Sequence, residues 1–471
     1  MTPGEFREQG RRLVDWIADY MERAGDRPVR SRARPGEVFA ALPEAPPERP
    51  EPWDAILRDL DEIVLPGLTH WQSPRFFGYF PANASGPAIL GELVSAGLGV
   101  QGMLWSTSPA CTEIETRTLD WLARLIGLPE RFLSTSGRGA GVIQGTASEA
   151  ALVAMVAARE RAIRGGARAE SLVAYTSTQA HSSIVKAGMV AGLGAERVRL
   201  VGVDERLRLD PSRLEAEIER DRGAGLTPFF VAATLGTTSS GAVDPLDSIG
   251  RLAESEGAWL HVDAAWAGSA LVAPEHRWMI EGVERADTFN FNPHKWMLTN
   301  FDCSALWVAD RRDLTRALSI TPEYLRTKES DAGAVIDYRD WQIPLGRRFR
   351  ALKLWFVMRA FGAEGLREHV RRGVRHGELF ERLARESDVF EVVGERSLSL
   401  VCVAHRAGDA ATLSAMERVN DSGEALFTHT KLPTAGGERA VIRLAAGGAR
   451  QTDEDVRAAF AALERAAAET G

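Results

Sequence analysis

The chain has 471 residues, 45% hydrophobic and 26% charged, with a net charge of −8. That length exceeds what a single hydrophobic core fills, so two or three domains are expected, and the composition excludes disorder as the main state. The mixed charge pattern, without a Lys/Arg-rich block, excludes a general nucleic-acid binder, and no apolar run nears the roughly 20 residues that span a bilayer.

The start, Met1 to Phe6, lacks a basic region followed by an apolar core, so a cytoplasmic protein is expected. Cys111, Cys303 and Cys402 lie too far apart for a disulfide framework or a zinc site, and no metal is expected. Phe6, Leu13, Val14, Ile17, Tyr20 and Met21 recur at helical spacing, which predicts an amphipathic first helix whose stripe needs a partner surface, such as a second subunit. The proline-rich segment 42–52 cannot continue a helix and reads as a stiff connector. Residues 1–84 are therefore expected to form a helical arm. Trp71, Phe76, Phe77, Tyr79, Phe80 and Pro81 make an aromatic stretch before the next section, and such clusters are usually core.

From residue 85 to 354, strand-like runs (171–175, 228–234, 259–263, 304–308) alternate with helical patterns. That alternation predicts an α/β fold with a mostly parallel central sheet covered by helices, and its chemistry at the strands' carboxyl ends. Residues 355–471 read as a small α+β domain, with strands near 398–403 and 440–444 and a last helix announced by Thr452 and Asp455 in capping-box spacing.

Within the large section, the glycine-rich run Gly137 to Glu149 leads into a helix over 150–163. Thr146 and Glu149 have capping-box spacing, so backbone N–H groups gather at the positive end of the macrodipole, as a phosphate needs. Standing alone, an ordinary capped helix explains this segment equally well. His181 follows one predicted strand and Thr238 another; a structural histidine and a turn-stabilising hydroxyl are the plain alternatives. Asp263 ends the buried run Trp259 to Asp263, where it either caps a helix or holds a charged partner. Lys295, in Asn292-Pro293-His294-Lys295-Trp296, is flanked by Phe289, Phe291, Trp296, Met297 and Leu298. Such flanks strip solvent from an amine and favour its nucleophilic neutral form. A lysine able to form a Schiff base and a carboxylate able to hold a pyridinium nitrogen are the two groups a pyridoxal phosphate site requires.

Four segments, Thr146-Ala147-Ser148-Glu149-Ala150, Gln179-Ala180-His181-Ser182-Ser183, His261-Val262-Asp263-Ala264-Ala265-Trp266-Ala267-Gly268 and Asn292-Pro293-His294-Lys295-Trp296, resemble in order those of the group II pyridoxal-phosphate-dependent decarboxylases. With Trp341-Gln342-Ile343-Pro344-Leu345-Gly346-Arg347-Arg348-Phe349, the likeness is closest to the aromatic-L-amino-acid decarboxylases and runs from Phe6 to the last helix. The resemblance implies a fold type I enzyme and a homodimer with shared active sites. It also implies that Lys295 bonds pyridoxal 5'-phosphate covalently, Asp263 pairs with its ring nitrogen and His181 stacks on the ring. Thr146, Ala147, Ser148, Thr238, Ala265, Asn292 and His294 complete the implied cofactor site.

Tyr324, in the segment 319–333 that reads as a lid, matches the tyrosine that resembling enzymes use to reprotonate the substrate carbon. Relatives with phenylalanine there are aldehyde synthases, so Tyr324 implies simple decarboxylation to an amine. The likeness puts Trp71, Tyr79, Phe80, Pro81, Ala82, Gln101, Met103 and Gly346 around the substrate. Ala82 replaces a threonine of catechol-handling relatives, Gln101 and Met103 replace more apolar residues, and Gly346 is the small residue of indole-accepting members. Tryptophan or a substituted tryptophan is thus favoured, with phenylalanine, tyrosine and L-DOPA open. Arg75 belongs to a pattern shared across the family and does not signal an acidic substrate. The competing readings are an oxidative aldehyde synthase, a decarboxylase of acidic amino acids, and a non-catalytic scaffold on the same fold.

Overall fold

Runs of consecutive apolar residues too short for helices become strands buried on both faces, which is how parallel sheets differ in sequence from half-exposed ones. The computed structural model describes residues 1–320, 328–331 and 333–468. The chain divides into two compact units. The first comprises Met1–Pro81, His376–Val393 and Val401–Gly471, and the second Ala82–Arg375 with Gly394–Leu400.

The second unit is built on seven strands: β1 Ala140–Gln144, β2 Leu172–Ser177, β3 Val198–Val201, β4 Thr227–Thr234, β5 Trp259–Asp263, β6 Thr288–Phe291 and β7 Ser304–Val308. Their order is β1-β7-β6-β5-β4-β2-β3. β7 pairs antiparallel with both neighbours and the remaining pairs are parallel, so six strands point one way and only β7 opposes them. The mostly parallel sheet expected from the alternating pattern is present. One difference concerns the glycine-rich run, whose first part, Ala140–Gln144, is an edge strand and not a loop. Gly141 makes this possible, because a Cβ there would lie 2.8 Å from the indole nitrogen of Trp307, its partner in register.

The helix Ala147–Arg164 lies on this sheet with Ala150, Ala151, Val153, Ala154, Met155, Ala157 and Ala158 buried, packed in one core with strand residues such as Ala174, Phe230, Ala232 and Trp259. Small side chains let its axis approach the strands closely. Gly268 brings the turn after β5 onto β6, where a Cβ would sit 2.3 Å from that of Phe291.

The first unit holds a second sheet, β8 Phe390–Val392, β9 Leu400–His405, β10 Thr428–Thr434 and β11 Gly437–Ala445, in the order β10-β11-β9-β8. Its core joins Phe77, Phe380, Phe390, Phe427 and Phe460. The last helix, Asp453–Ala468, starts as its sequence predicts: the Asp455 N–H donates to Thr452 Oγ1 at 3.3 Å, and the Thr452 N–H to Asp455 Oδ2 at 3.0 Å. The first helix, Pro3–Arg23, is capped in the same way by Thr2 and Glu5 and has no buried residue within the chain.

Among the described residues, no helix is long and apolar enough to cross a membrane, and no group of three or more His, Cys, Asp or Glu side chains is arranged to hold a metal. Cys111, Cys303 and Cys402 are buried and form no disulfide.

Candidate active site

Because β1, β2, β4, β5 and β6 run in one direction, the residues that follow them emerge along one edge of the sheet. Gly145 to Glu149 follow β1, His181 lies after β2, Thr238 after β4, Asp263 closes β5, and Asn292 to Lys295 follow β6. Adjacent strand ends are locked in register: Thr234 opposite Asp263, and Asp263 opposite Asn290. Backbone bonds carry the pairing past the strands, from Ala264 N–H to Asn290 C=O at 2.9 Å and from Asn292 N–H to Ala265 C=O at 2.9 Å.

Asp263 is 4% exposed, and one of its oxygens accepts the Ala265 N–H at 3.0 Å. Lys295 is partly buried on a short helical turn, Pro293–Trp296, beneath which Trp296 stacks on Trp266 with ring centroids 5.4 Å apart. His181 feels both charged groups. Loss of water lowers its pKa, the Asp263 carboxylate opposes that shift and the Lys295 ammonium reinforces it. Its Nδ1 accepts the Ser183 N–H at 3.2 Å, which fixes the ring while one side of it stays open in the chain.

At the end of β1, Thr146 caps the helix Ala147–Arg164 by accepting the Glu149 N–H. The Glu149 side chain reaches one residue further back than a standard capping box, to the Gly145 N–H at 2.8 Å. The N–H groups of Ala147 and Ser148 have no carbonyl to bond within their helix, and they point where its dipole is positive. Asn292 is 3% exposed, with an Oδ1 that has no hydrogen-bond partner. Thr238 is exposed at this edge, while the turn-forming hydroxyl is that of its neighbour Thr237, which accepts the Ala242 N–H at 3.0 Å. His294 is tied elsewhere: its Nδ1 accepts the Cys303 N–H at 2.8 Å, and burial pushes its pKa down to about 3.

The family model for the pyridoxal-dependent decarboxylase conserved domain matches residues 35–406. The chain belongs to this family. It is 46% identical to a phenylacetaldehyde synthase of Arabidopsis thaliana, over 99% of this chain and 96% of that one. It is also 46% identical to an aromatic-L-amino-acid decarboxylase of Rattus norvegicus, over 90% of each. The crystal structure of Oryza sativa TDC with PLP and tryptamine superposes with a TM-score of 0.96 at 41% identity, covering 100% of this chain and 99% of that one.

This decarboxylase is therefore a fold type I enzyme that uses pyridoxal phosphate, a carboxy-lyase of the aromatic amino acid group. The residues at the sheet edge fit that cofactor. A helix N-terminus whose first N–H groups lack a helical carbonyl partner, with a buried amide, suits a phosphate, a buried carboxylate suits a ring nitrogen, and the Lys295 amine at the same sheet edge suits an aldehyde.

The other expected residues fall into two groups. Gln101, Met103 and Gly346 come together: Gln101 Oε1 accepts the Arg347 N–H at 2.9 Å, the Met103 carbonyl accepts the Arg339 N–H at 3.1 Å, and a Cβ on Gly346 would lie 3.5 Å from Gln101 Nε2. Ala82 opens the same unit. Trp71, Tyr79, Phe80 and Pro81 belong to the first unit, where Trp71 and Tyr79 stack at 5.4 Å with 17° between their planes and Arg443 lies 5.2 Å above the Phe80 ring. Tyr324 lies outside the described residues.

Two features escaped the sequence reading. A buried Arg347 pairs with Glu115 and Gln342, joining the 338–347 segment to β1. Asn83 and Ser85 bond to Leu298, just beyond Lys295. Neither has a motif, because each joins residues more than 200 positions apart.

Proposed function

We propose that this enzyme removes CO2 from an aromatic L-amino acid, tryptophan or a substituted tryptophan before phenylalanine, tyrosine or L-DOPA, and releases the arylalkylamine. The observation that carries the reading is the convergence of Lys295, Asp263 and His181 at one sheet edge beside a helix N-terminus. Gly346 beside Gln101 supports room for an indole. Pyridoxal phosphate, when bound, supplies a carbonyl that captures amines and an electron-poor ring that takes up the pair left by the departing carboxylate.

In this reading the Lys295 amine would anchor the cofactor at the position that the substrate amine needs. Asp263, a buried carboxyl at the end of β5, would hold a proton at the ring nitrogen. Ala147, Ser148 and Asn292 would hold the phosphate with Thr146 as cap, Thr238 and Ala265 would frame the site, and His294, its ring bonded to the Cys303 N–H, would support the turn that carries Lys295. His181 would stack on the ring and help hold the substrate so that the bond to be broken, from Cα to the carboxylate, lies across the ring plane. With the bond's electron pair held in conjugation with the ring, Tyr324 would deliver to Cα the proton that completes the amine. Trp71, Tyr79, Phe80, Pro81, Ala82, Gln101 and Met103 are the residues that the resemblance assigns to the substrate side chain. Two copies form the working unit, each completing the other's site.

The 46% identity to a phenylacetaldehyde synthase favours a second reading, in which O2 and water take the place of the proton and the products are aldehyde, CO2, ammonia and hydrogen peroxide. One experiment separates the two. Purified holoenzyme is incubated in air with tryptophan, phenylalanine, tyrosine and L-DOPA, and CO2, amine, aldehyde and peroxide are quantified. Amine equal to CO2, fastest with tryptophan, is expected. Tyr324→Phe should cut amine output by roughly 10- to 100-fold and raise aldehyde and peroxide together. Equimolar aldehyde and peroxide from the unaltered enzyme would establish the second reading.

A further inference from the structure

Three residues after Lys295, Leu298 has a φ of 52°, in the left-handed region that a branched side chain avoids. Such a residue persists only where its surroundings over-determine it. Here both of its backbone polar groups are captured by buried side chains from one short segment. The Leu298 N–H donates to Asn83 Oδ1 at 3.1 Å, and its carbonyl accepts the Ser85 hydroxyl at 2.6 Å. Asn83 is 3% and Ser85 6% exposed. Ser85 Oγ also accepts the Ala88 N–H at 3.4 Å as cap of the helix Gly86–Leu98, so its single proton is committed to Leu298.

The hydrogen-bond directions fix one another. Because a backbone N–H only donates, Asn83 Oδ1 is an acceptor, and His369 Nε2, 3.1 Å from that oxygen, is a donor. The other ring nitrogen of His369 then accepts from Arg372 Nη2 at 3.1 Å. The chain of donors runs Arg372 to His369 to Asn83, and meets the Leu298 N–H there. The rest of the loop is tied at its base, where the His294 ring accepts the Cys303 N–H, and Gly373 leaves room for the Trp296 indole, which a Cβ would approach to 2.7 Å.

We infer that Asn83, oriented by His369, is a positioning residue that together with Ser85 clamps the segment carrying Lys295 and thereby sets where its amine stands. None of these side chains belongs to the expected cofactor or substrate contacts. The inference rests on Lys295 as the cofactor's anchor. That premise has its own test in the visible absorbance of the unaltered holoenzyme and the hydride-reduced adduct at Lys295.

The clamp is tested by hydrogen exchange and cofactor affinity in Asn83→Ala and Asn83→Asp. Losing the acceptor should raise amide exchange across 296–303 and the cofactor dissociation constant each by about tenfold, the value of one buried hydrogen bond. kcat should fall while the amino-acid KM stays within about twofold, because the ground-state contacts are untouched. Asn83→Asp, which keeps an acceptor oxygen, should restore both. If Asn83→Ala does not fold, His369→Leu removes only the outer donor and should give the same pattern at about threefold. Unchanged exchange at 296–303, exchange raised equally in the helix Ala147–Arg164, or an Asn83→Asp as defective as Asn83→Ala would each overturn the inference.

Discussion

Two buried histidines, His261 and His294, serve as acceptors at Nδ1. Trp259 Nε1 donates to the Thr288 hydroxyl at 2.8 Å, which leaves that hydroxyl's proton for His261 Nδ1 at 2.9 Å, and His294 Nδ1 takes the Cys303 N–H. Protonating either ring would set a donor against a donor, and burial pushes the two pKa values down to about 4 and about 3. In the unfolded chain the same rings titrate near about 6.5. Their contribution to stability is therefore complete above that pH and is lost as the pH falls toward the folded values, at up to about 1.4 kcal/mol per unit for each ring. Asp244, pushed up to about 7 by burial, acts in the opposite sense, one group against two. The urea midpoint should be lower at pH 5 than at pH 7; a higher one would mean that these rings are charged in the fold. The burial of Asp263 and the partial burial of Lys295 were legible in the sequence because their apolar flanks are contiguous. His294 was only half legible: its burial followed from its neighbours, but the acceptor role depends on Cys303, which the loop brings back to it.

Among the elements, the clearest device is the buried pair between Arg347 and Glu115, both 0% exposed as side chains. Glu115 Oε1 also accepts the Ile143 N–H at 2.8 Å, Arg347 Nη2 donates to the Ile143 carbonyl at 3.0 Å, and the Arg347 guanidinium lies 4.8 Å from the Tyr338 ring centroid. Burial raises the Glu115 pKa and the Arg347 charge draws it back down. The pair bolts the 338–347 segment to the strand that leads into the phosphate cradle. Glu115→Ala leaves a buried guanidinium without its counter-charge and should cost about 3–5 kcal/mol, read as a shift in the urea midpoint. A loss below about 1 kcal/mol would mean that water reaches the arginine. Four strands of the larger sheet were legible to within a few residues, since runs such as Trp259–Asp263 and Ser304–Val308 are short and mostly apolar, whereas β3 and β6 were not read. The reversed direction of β7 and the edge strand β1 were not, because direction is set by partners distant in the chain and Gly141 reads locally as loop.

At the scale of the whole molecule, two helices carry apolar faces that their own chain leaves bare. Phe6 and Val14 are 59% and 46% exposed on the first helix. Leu90, Leu93, Val94 and Leu98 are 48%, 50%, 41% and 57% exposed at helical spacing on Gly86–Leu98. Contiguous exposed patches of this kind mark interfaces, and a second copy of the chain is the proposed cover. Light scattering should give twice the chain mass for the unaltered protein. Leu90→Glu with Leu93→Glu should shift it to the single-chain mass and remove at least about nine-tenths of the activity, because a charged pair cannot be buried without partners. A double variant that keeps twice the chain mass would place the interface elsewhere. The amphipathic first helix was legible from its periodicity alone, whereas the bare face of Gly86–Leu98 was hidden in a segment that is apolar nearly all round.

The three cysteines offer a clock. Burial raises the thiol pKa of Cys111 and Cys303 to about 12 and of Cys402 to about 11, so at neutral pH none is an attacking thiolate. An alkylating reagent finds a target only after the surrounding chain has opened. Cys402 reports on the unit that holds the smaller sheet, and Cys111 and Cys303 on the one that holds Lys295. Peptide-resolved alkylation over time would thus record the order in which the two halves loosen under heat or urea, with no engineered probe.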